Sequence, residues 1–381
     1  MKKTILTLNI ASLILFAGSC KAPKQEEKQV KNKTEQLSKL YGTENLPKQV
    51  FQIMPNRDTT LHGKNGTILR IYKHSFISEK GTKITAPIQV ELQEALKPID
   101  IVNANLMTTS NGTPLQTGGM IHVQATCANK PIHLSENCSI GVVVKNEKFI
   151  PNMKLYTGVE SKNGINWINP KPLLNDKIQA KEHSNVKLNV MNTSEEAITD
   201  DVETIVAKGE VDSLGIRVVK PIRKGVIKDI PIFNSFGSEL SVIGTNYFSV
   251  DKHTAYIFEL KKLGWANIDR LYNDPRTQSV TLDTEISNSK DFDKIYITLV
   301  VCNMYLPGYQ KKDGSFAFTH GDYEKAKLPI GAKALIFATA YKNNIPYFDI
   351  IETTIKSKER IDLKLQKTTE DALKEKLKSR L

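Results

Sequence analysis

The sequence predicts an all-β protein made of two tandem antiparallel β-sandwiches, immunoglobulin-like in architecture, with a short C-terminal helix. Apolar and polar residues alternate along many short segments, as in Ile88–Gln93, which is typical of half-buried strands. Glycine and asparagine clusters such as 63–66 and 163–164 separate these segments at short intervals. Hydrophobic residues (40%) and charged residues (25%) lie near globular averages, which excludes a disordered or fibrous chain.

Residues 1–19 are predicted to be a lipoprotein signal peptide. Two lysines precede an apolar stretch at 4–17 that is too short to span a bilayer comfortably, and small residues then lead to Cys20. Small residues that end at a cysteine resemble the lipobox of bacterial lipoproteins. The resemblance implies cleavage before Cys20 and acylation of this residue by fatty acids such as palmitate, which holds a protein stably at a membrane. The alternatives are an ordinary signal peptide and an uncleaved anchor helix.

Residues 20–45 are predicted to be a flexible tether. They are rich in Lys, Glu and Gln and carry too little apolar surface to offset the entropy of ordering the chain. Cleavage would remove two lysines and no acidic residue, so the formal net charge of +12 falls to +10. An exported lipoprotein meets little nucleic acid, so we expect no nucleic-acid partner and interpret the positive charge as spread over solvated faces.

Residues 46–190 are predicted to form the first β-sandwich. Apolar residues alternate with polar ones at 121–125, and the apolar run at 141–144 is typical of a strand buried on both faces. The glycine-rich segment 111–119 is the part of the chain most similar to a phosphate cradle. No helix is predicted to begin after it, so we interpret its glycines as turn residues.

The second half of the chain repeats this organisation. An acidic stretch followed by a basic one indicates a connecting segment at 191–239. Residues 240–366 are predicted to form the second sandwich, in which 295–301 alternate and 334–351 form a hairpin with an Asn-Asn turn. The tail at 367–381 carries leucines four residues apart, which predicts an amphipathic helix that packs on a sheet.

Three cysteines remain besides Cys20, and export permits disulfides. Cys127 and Cys138 end and begin successive predicted strands, so we predict a hairpin-type disulfide between them. Cys302 lies in an apolar strand and is interpreted as a small buried hydrophobe. The chain shows no Cys-x-x-Cys and no Cys/His spacing of a metal site, so we predict no metal and no cofactor.

Residues 56–96 resemble the opening of the zona occludens–netrin receptor domain, a β-sandwich also found in ankyrins. The resemblance rests on a Gly-Thr strand, a second strand of the form Gly-x-x-Ile, and a strand that ends in Val-x-Leu. Three further segments, at 108–126, 153–170 and 263–274, resemble sequence segments of Bacteroidota lipoproteins that carry this domain. The resemblance implies a lipid-anchored protein of the outer membrane, on its periplasmic or cell-surface face.

The sequence shows no His-Glu-x-x-His and no Gly-x-Ser-x-Gly motif, so we predict no catalytic residues. His122 and His133 lie on neighbouring predicted strands with Glu136 nearby, but a solvent-facing pair is more frequent than a metal site. The segment 305–323 is long, aromatic and basic, which is typical of a recognition loop. Its candidate binding residues are Tyr305, Tyr309, Phe316, His320 and Tyr323.

These observations favour a non-enzymatic, lipid-anchored module that binds or scaffolds an unknown envelope protein or glycan. One alternative is an exported hydrolase or self-processing protein that uses either His320 with Asp322 or His74 with Ser75. Some members of the resembled family cut themselves at His-Phe-Ser. Here His74-Ser75-Phe76 has another order and lies near the start of the domain, which disfavours self-cleavage. The other alternative is surface glycan binding through 305–323.

Overall fold

The structure, a computed structural model, describes residues 40–146, 150–161, 164–174, 203–205, 210–211, 216–218, 221–224, 248–250, 255–292, 294–318 and 326–381. The predicted signal peptide, Cys20 and most of the predicted tether lie outside these residues. Within the described ranges, none of the helices has the length and apolar character that crossing a membrane requires.

The prediction of an all-β fold with a short C-terminal helix is confirmed. The strands and helix before residue 175 are β1 (Gln49–Ile53), β2 (Thr59–His62), β3 (Ile68–Ile71), β4 (Phe76–Ser78), β5 (Ile88–Ala95), α1 (Pro98–Asn103), β6 (Thr109–Ser110), β7 (Thr113–Cys127), β8 (Lys130–Leu134), β9 (Ile140–Lys145), β10 (Lys154–Ser161) and β11 (Gly164–Pro172). A 3-10 turn at Thr43–Asn45 precedes them.

Five short strands follow: β12 (Glu203–Ile205), β13 (Glu210–Val211), β14 (Ile216–Val218), β15 (Pro221–Lys224) and β16 (Phe248–Val250). β12 pairs with β15, and β14 pairs with β13 and β16. Most of the predicted connecting segment at 191–239 lies outside the described residues.

The remaining elements are β17 (Ala255–Leu260), β18 (Gly264–Leu271), β19 (Thr277–Ile286), β20 (Ile295–Val301), β21 (Met304–Pro307), β22 (Tyr309–Gln310), β23 (Phe316–Ala317), β24 (Ala326–Pro329), β25 (Lys333–Lys342), β26 (Ile345–Thr354), β27 (Lys358–Leu363), β28 (Gln366–Lys367) and α2 (Glu370–Lys378). A 3-10 turn at Ser289–Asp291 lies between β19 and β20.

The first sandwich packs a sheet of order β1-β5-β7-β18-β10-β11 on a sheet of order β17-β9-β3-β2. Ile88, Val90 and Leu92 alternate with polar residues along β5 and are completely buried in the core between the two sheets. The opposite sheet supplies residues such as Val142 and Phe258. The predicted alternation therefore builds this core.

The predicted boundary between the two sandwiches at residue 240 is wrong. β17 pairs with β9, and β18 lies between β7 and β10, so residues 255–271 complete the first sandwich. Alternating burial identifies a strand from local sequence, but it does not identify the sheet that the strand joins.

The second sandwich packs a sheet of order β22-β23-β19-β24 on a sheet of order β21-β20-β25-β26-β28. β27 also pairs with β19, and this is the single parallel pairing among the described strands. The predicted hairpin is confirmed as β25 and β26, whose turn residues Asn343 and Asn344 have positive φ angles of 52° and 65°.

A third apolar cluster, here called the interface cluster, joins the two sandwiches. Its members include Met120, Tyr156, Trp167 and Trp265 of the first sandwich, Tyr305, Leu335, Phe337 and Phe348 of the second, and Leu40, Leu46, Leu373 and Leu377 of the flanking segments. The leucines of α2 are fully buried there, so the helix packs as predicted. The predicted tether extends too far, because Leu40 and Leu46 are 1% and 2% exposed.

The predicted disulfide is wrong, because Cys127 and Cys138 are both free thiols. Cys127 lies at the β7–β8 turn opposite Lys130, whereas Cys138 follows the far end of β8. A five-residue strand spans about 13 Å, roughly twice the separation that a disulfide bridges between Cα atoms. The sequence places the two cysteines near strand ends without showing that these are opposite ends.

Candidate functional site

The described part of the predicted recognition loop forms strands. Tyr305 lies in β21 and is 2% exposed, and Phe316 lies in β23 and is 3% exposed, so neither presents its ring to a ligand. Tyr309 is half-buried in β22. His320 and Tyr323 lie outside the described residues. Aromatic residues with glycines are equally typical of short paired strands, whose alternate side chains face a core.

Among the described residues, the side chains that we considered for catalysis or metal binding do not come together in one site. Ser75 is buried, and its hydroxyl donates to the carbonyl of Tyr72 at 2.7 Å, while His74 is exposed in a turn with φ of 61°. His122 stacks on Trp265 with ring centroids 4.8 Å apart, and burial lowers its pKa. Among the described residues no group of three or more His, Cys, Asp or Glu could hold a metal.

A cleft of about 730 Å³ lies where a turn of the second sandwich meets β7 of the first, and we call it the junction cleft. The residues that line it come from the turn at 63–66, the start of α1, the middle of β7, the end of β9 and the β20–β21 turn. They include Lys64, Lys97, Lys145, Gly118, Gly119 and Asn303.

The floor of the junction cleft is a bulge in β7. Gly119 has φ of 126°, and a Cβ atom there would lie 2.8 Å from Leu96 Cδ2. A Cβ atom at Gly118 would lie 2.7 Å from the ring of Tyr256. Only glycine therefore allows the backbone of β7 to adopt this conformation so close to the side chains of Leu96 and Tyr256. The interpretation of these two glycines as turn residues is wrong, because they interrupt a 15-residue strand.

The turn at 63–66 forms one wall, and the buried carboxylate of Glu94 holds it in place. Glu94 Oε2 accepts from the backbone N–H of Asn65 at 3.0 Å and from Gln49 Nε2 at 2.7 Å. Its Oε1 accepts from the N–H of Thr67 at 3.0 Å, and Gln49 Oε1 accepts from the N–H of Lys64 at 2.7 Å. The backbone that carries Lys64 and Asn65 is thus fixed by hydrogen bonds to the side chains of Gln49 and Glu94.

The second sandwich supplies the opposite rim through Asn303. Its carbonyl accepts from the N–H of Thr117 at 3.0 Å, and the neighbouring Cys302 carbonyl accepts from Gln116 Nε2 at 3.0 Å. Cys302 is half-buried in this turn with φ of 50°, and so it is not the buried strand residue that we predicted. These bonds clamp the two sandwiches together beside the cleft.

The junction cleft carries charge of one sign. Three lysines and three asparagines (Asn65, Asn146 and Asn303) line it, and none of the described lining residues is acidic. The buried carboxylate of Glu94 lies directly behind the turn at 63–66. Another buried carboxyl, Asp269, accepts from Asn267 Nδ2 at 2.7 Å, while Asn267 Oδ1 accepts from the Thr117 hydroxyl at 3.1 Å. Burial raises the pKa of Asp269 well above its usual range, which favours the neutral carboxyl.

A second cleft of about 640 Å³ has mixed character. Its lining includes His133, Glu136, Cys138, Glu259 and Lys261, so charges of both signs are present. His133 lies here, whereas His122 stacks on Trp265 elsewhere in the sandwich, and the two do not form the pair that we considered. We therefore take the junction cleft as the candidate site.

Sequence reasoning missed the three lysines of the junction cleft. Lys64 lies in a Gly-Lys-Asn-Gly turn, Lys97 follows the end of β5, and Lys145 ends β9. Each position is a typical place for a solvated lysine, and only the sheet order brings this turn and the ends of β5 and β9 together. The glycine pair at 118–119 is the one local signal, since a close approach of backbone often requires glycine.

No family model, curated protein or solved structure matches the chain. The resemblance to lipoproteins with a zona occludens–netrin receptor-like domain thus rests on the sequence segments described above.

Proposed function

We propose that this protein is a non-enzymatic binding module of the bacterial envelope, held at the outer membrane by an acylated Cys20. The observation that carries the binding role is the junction cleft, a concave site that both sandwiches build. Its walls are fixed by hydrogen bonds to Glu94 and between Thr117 and Asn303. A pre-formed cleft of this volume binds a ligand with little cost for ordering its own residues.

The contacts of residues 41–46, which follow the proposed tether, support an anchored role. Tyr41 is buried, and its hydroxyl lies 2.9 Å from Thr339 Oγ1 of the second sandwich. Gln93 Nε2 of the first sandwich donates to the carbonyls of Thr43 and Leu46 at 3.0 and 3.1 Å. The segment next to the proposed tether therefore holds both sandwiches, and a tether attached there would carry them as one unit.

Labelling with an alkyne analogue of palmitate tests the anchor. We expect the wild-type protein to take up the label and to sediment with membranes, and Cys20→Ser to lose both properties. Cys138→Ser is the matched control, because Cys138 is a half-buried free thiol within the fold. Equal labelling of Cys20→Ser and the wild type would contradict the anchor.

Photo-crosslinking in intact cells tests the binding role. A photoreactive phenylalanine analogue at Asn303, at the rim of the junction cleft, should form an adduct with an envelope component. The matched control is Asn343, which is also exposed, with positive φ, in a hairpin turn of the second sandwich. The same adducts from both positions, or none from Asn303, would count against the cleft as the binding site.

A further inference from the structure

We propose that the junction cleft binds a phosphomonoester, with its lysines on the phosphate and its apolar wall on the organic part of the ligand. This inference rests on the binding function proposed above and names the ligand class for that site.

The charge of the site matches a phosphate dianion. Lys64, Lys97 and Lys145 approach the cleft from three different elements, and none of the described lining residues is acidic. A phosphomonoester carries a charge of about −1.5 to −2 at pH 7, so more than one ammonium group is needed to balance it.

The type of cation is compatible with phosphate. Lysine binds phosphate as a compact point charge, and several lysines can approach the group from different directions. The described lining of the junction cleft contains lysines and no arginine. The side-chain amides of Asn65 and Asn303 add neutral hydrogen-bond donors at the rim.

Part of the lining is apolar. Leu96 and Pro98 are half-buried beside α1, whereas Ile101 and Tyr305 are each 2% exposed. Tyr305 is held by a reciprocal pair of bonds, in which its N–H donates to Thr108 Oγ1 at 2.8 Å and its carbonyl accepts from the N–H of Thr108 at 2.9 Å. A volume of about 730 Å³ suits a small organic molecule. A sugar phosphate or the headgroup of a phosphomonoester lipid has this combination of charge and size.

Binding is tested with the full mature chain made soluble by Cys20→Ser. Calorimetric titration compares glucose 6-phosphate, inorganic phosphate and glucose. Flotation compares phosphatidylcholine vesicles with and without phosphatidic acid. We expect glucose 6-phosphate to bind at least about tenfold more tightly than glucose, with an affinity that falls as salt rises. If vesicles with phosphatidic acid bind and glucose 6-phosphate does not, the source is a lipid. The reverse result identifies a soluble ester.

Lysine substitutions localise the binding. Lys64→Gln, Lys97→Gln and Lys145→Gln should each weaken binding of the better probe about tenfold, because each removes a charged hydrogen-bond donor. The control is a triple variant, Lys327→Gln, Lys333→Gln and Lys358→Gln, which changes the net charge equally at exposed positions of the second sandwich. The three cleft substitutions combined in one chain should weaken binding more than any single one, and equal weakening by the triple control would overturn the proposal.

The experiments distinguish a wrong assignment of the ligand class from a wrong assignment of the binding function. If neither phosphomonoester probe binds but the crosslink at Asn303 persists, the phosphate assignment is wrong and the cleft still binds another ligand. If the crosslink is also absent, both proposals fail.

Discussion

At the scale of single residues, Asp269 is the clearest departure from ordinary β-sandwich chemistry. Its side chain is completely buried between the neighbouring strands β7 and β10, and its Oδ1 is without a hydrogen-bond partner in the structure. Burial raises its pKa, and the neighbouring polar side chains of Thr117 and Asn267 lower it by less. At a pH just above the ordinary pKa of an aspartate, Asp269 is therefore protonated in the native state and ionised in the unfolded state.

This proton makes stability depend on pH. Below about pH 3.9 the carboxyl is protonated in both states, and as the pH rises above that value the unfolded state ionises while the native state does not. The contribution of Asp269 to stability is therefore full in acid and is lost as the pH rises towards its native pKa. We expect Asp269→Asn to lack this dependence on pH. The melting temperature of the variant minus that of the wild type should therefore increase as the pH is raised from about 4 to about 8.

Thermal denaturation across that pH range measures the effect. Asp362→Asn, at an exposed position of β27, is the control and should follow the wild-type curve. Parallel curves for Asp269→Asn and the wild type would show that the buried carboxyl does not take up a proton on folding.

Gly119 permits a second prediction at this scale. Gly119→Ala should lower the free energy of unfolding by about 2 kcal/mol, since the backbone has a φ that only glycine adopts readily and the new methyl meets Leu96. Gly81→Ala is the control, because its φ of 76° is also positive but its Cβ would meet nothing within 4 Å. Urea denaturation measures both variants, and a loss for Gly119→Ala no larger than that for Gly81→Ala would contradict the prediction.

At the scale of elements, local sequence predicts a helix or strand well where one face is buried. The helix α2 shows this: the N–H of Ala372 donates to the capping Thr369 hydroxyl at 3.2 Å, and acidic residues occupy its first turn while lysines occupy the last. Leu373 and Leu377 form its buried stripe. The same logic predicts β5 and β20 from alternation alone.

Leu377→Ala tests the packing of this helix. Leu377 is completely buried in the interface cluster, so we expect a loss of about 2–5 kcal/mol in the free energy of unfolding. Lys376→Ala, on the exposed face of the same helix, keeps the helix propensity high and should change stability by less than about 0.5 kcal/mol. Similar losses from both variants in denaturant titrations would place the helix outside the folded core.

The features that sequence does not predict depend on partners far along the chain. β18 shows clear alternation at Ala266 and Ile268, yet its place between β7 and β10 is a property of the sheet. The burial of Tyr305 follows from its bonds to Thr108, a residue of the other sandwich. The junction cleft arises in the same way, because its three lysines lie in separate turns and strand ends.

At the scale of the whole molecule, each sandwich has its own core, and the interface cluster couples the two. Two cores of this kind would unfold separately if little apolar surface joined them. Here Trp167, Trp265 and Phe337 are buried in the shared cluster, and the flanking segments fill it from both ends of the described fold. The coupling is therefore apolar and large, and we expect wild type to unfold in a single calorimetric transition.

The segment at 40–46 is the element whose removal should uncouple the sandwiches. Leu46→Asp introduces a carboxylate at a side chain that is 2% exposed, which costs about 3 kcal/mol or more and should release the segment from Gln93. We expect the single calorimetric transition to split into two and a protease to cut near residue 46 more rapidly. Gln52→Asp, at an exposed position of β1, makes the same change of charge and should preserve one transition. One transition at an unchanged temperature for Leu46→Asp would mean that the sandwiches are coupled without the segment at 40–46.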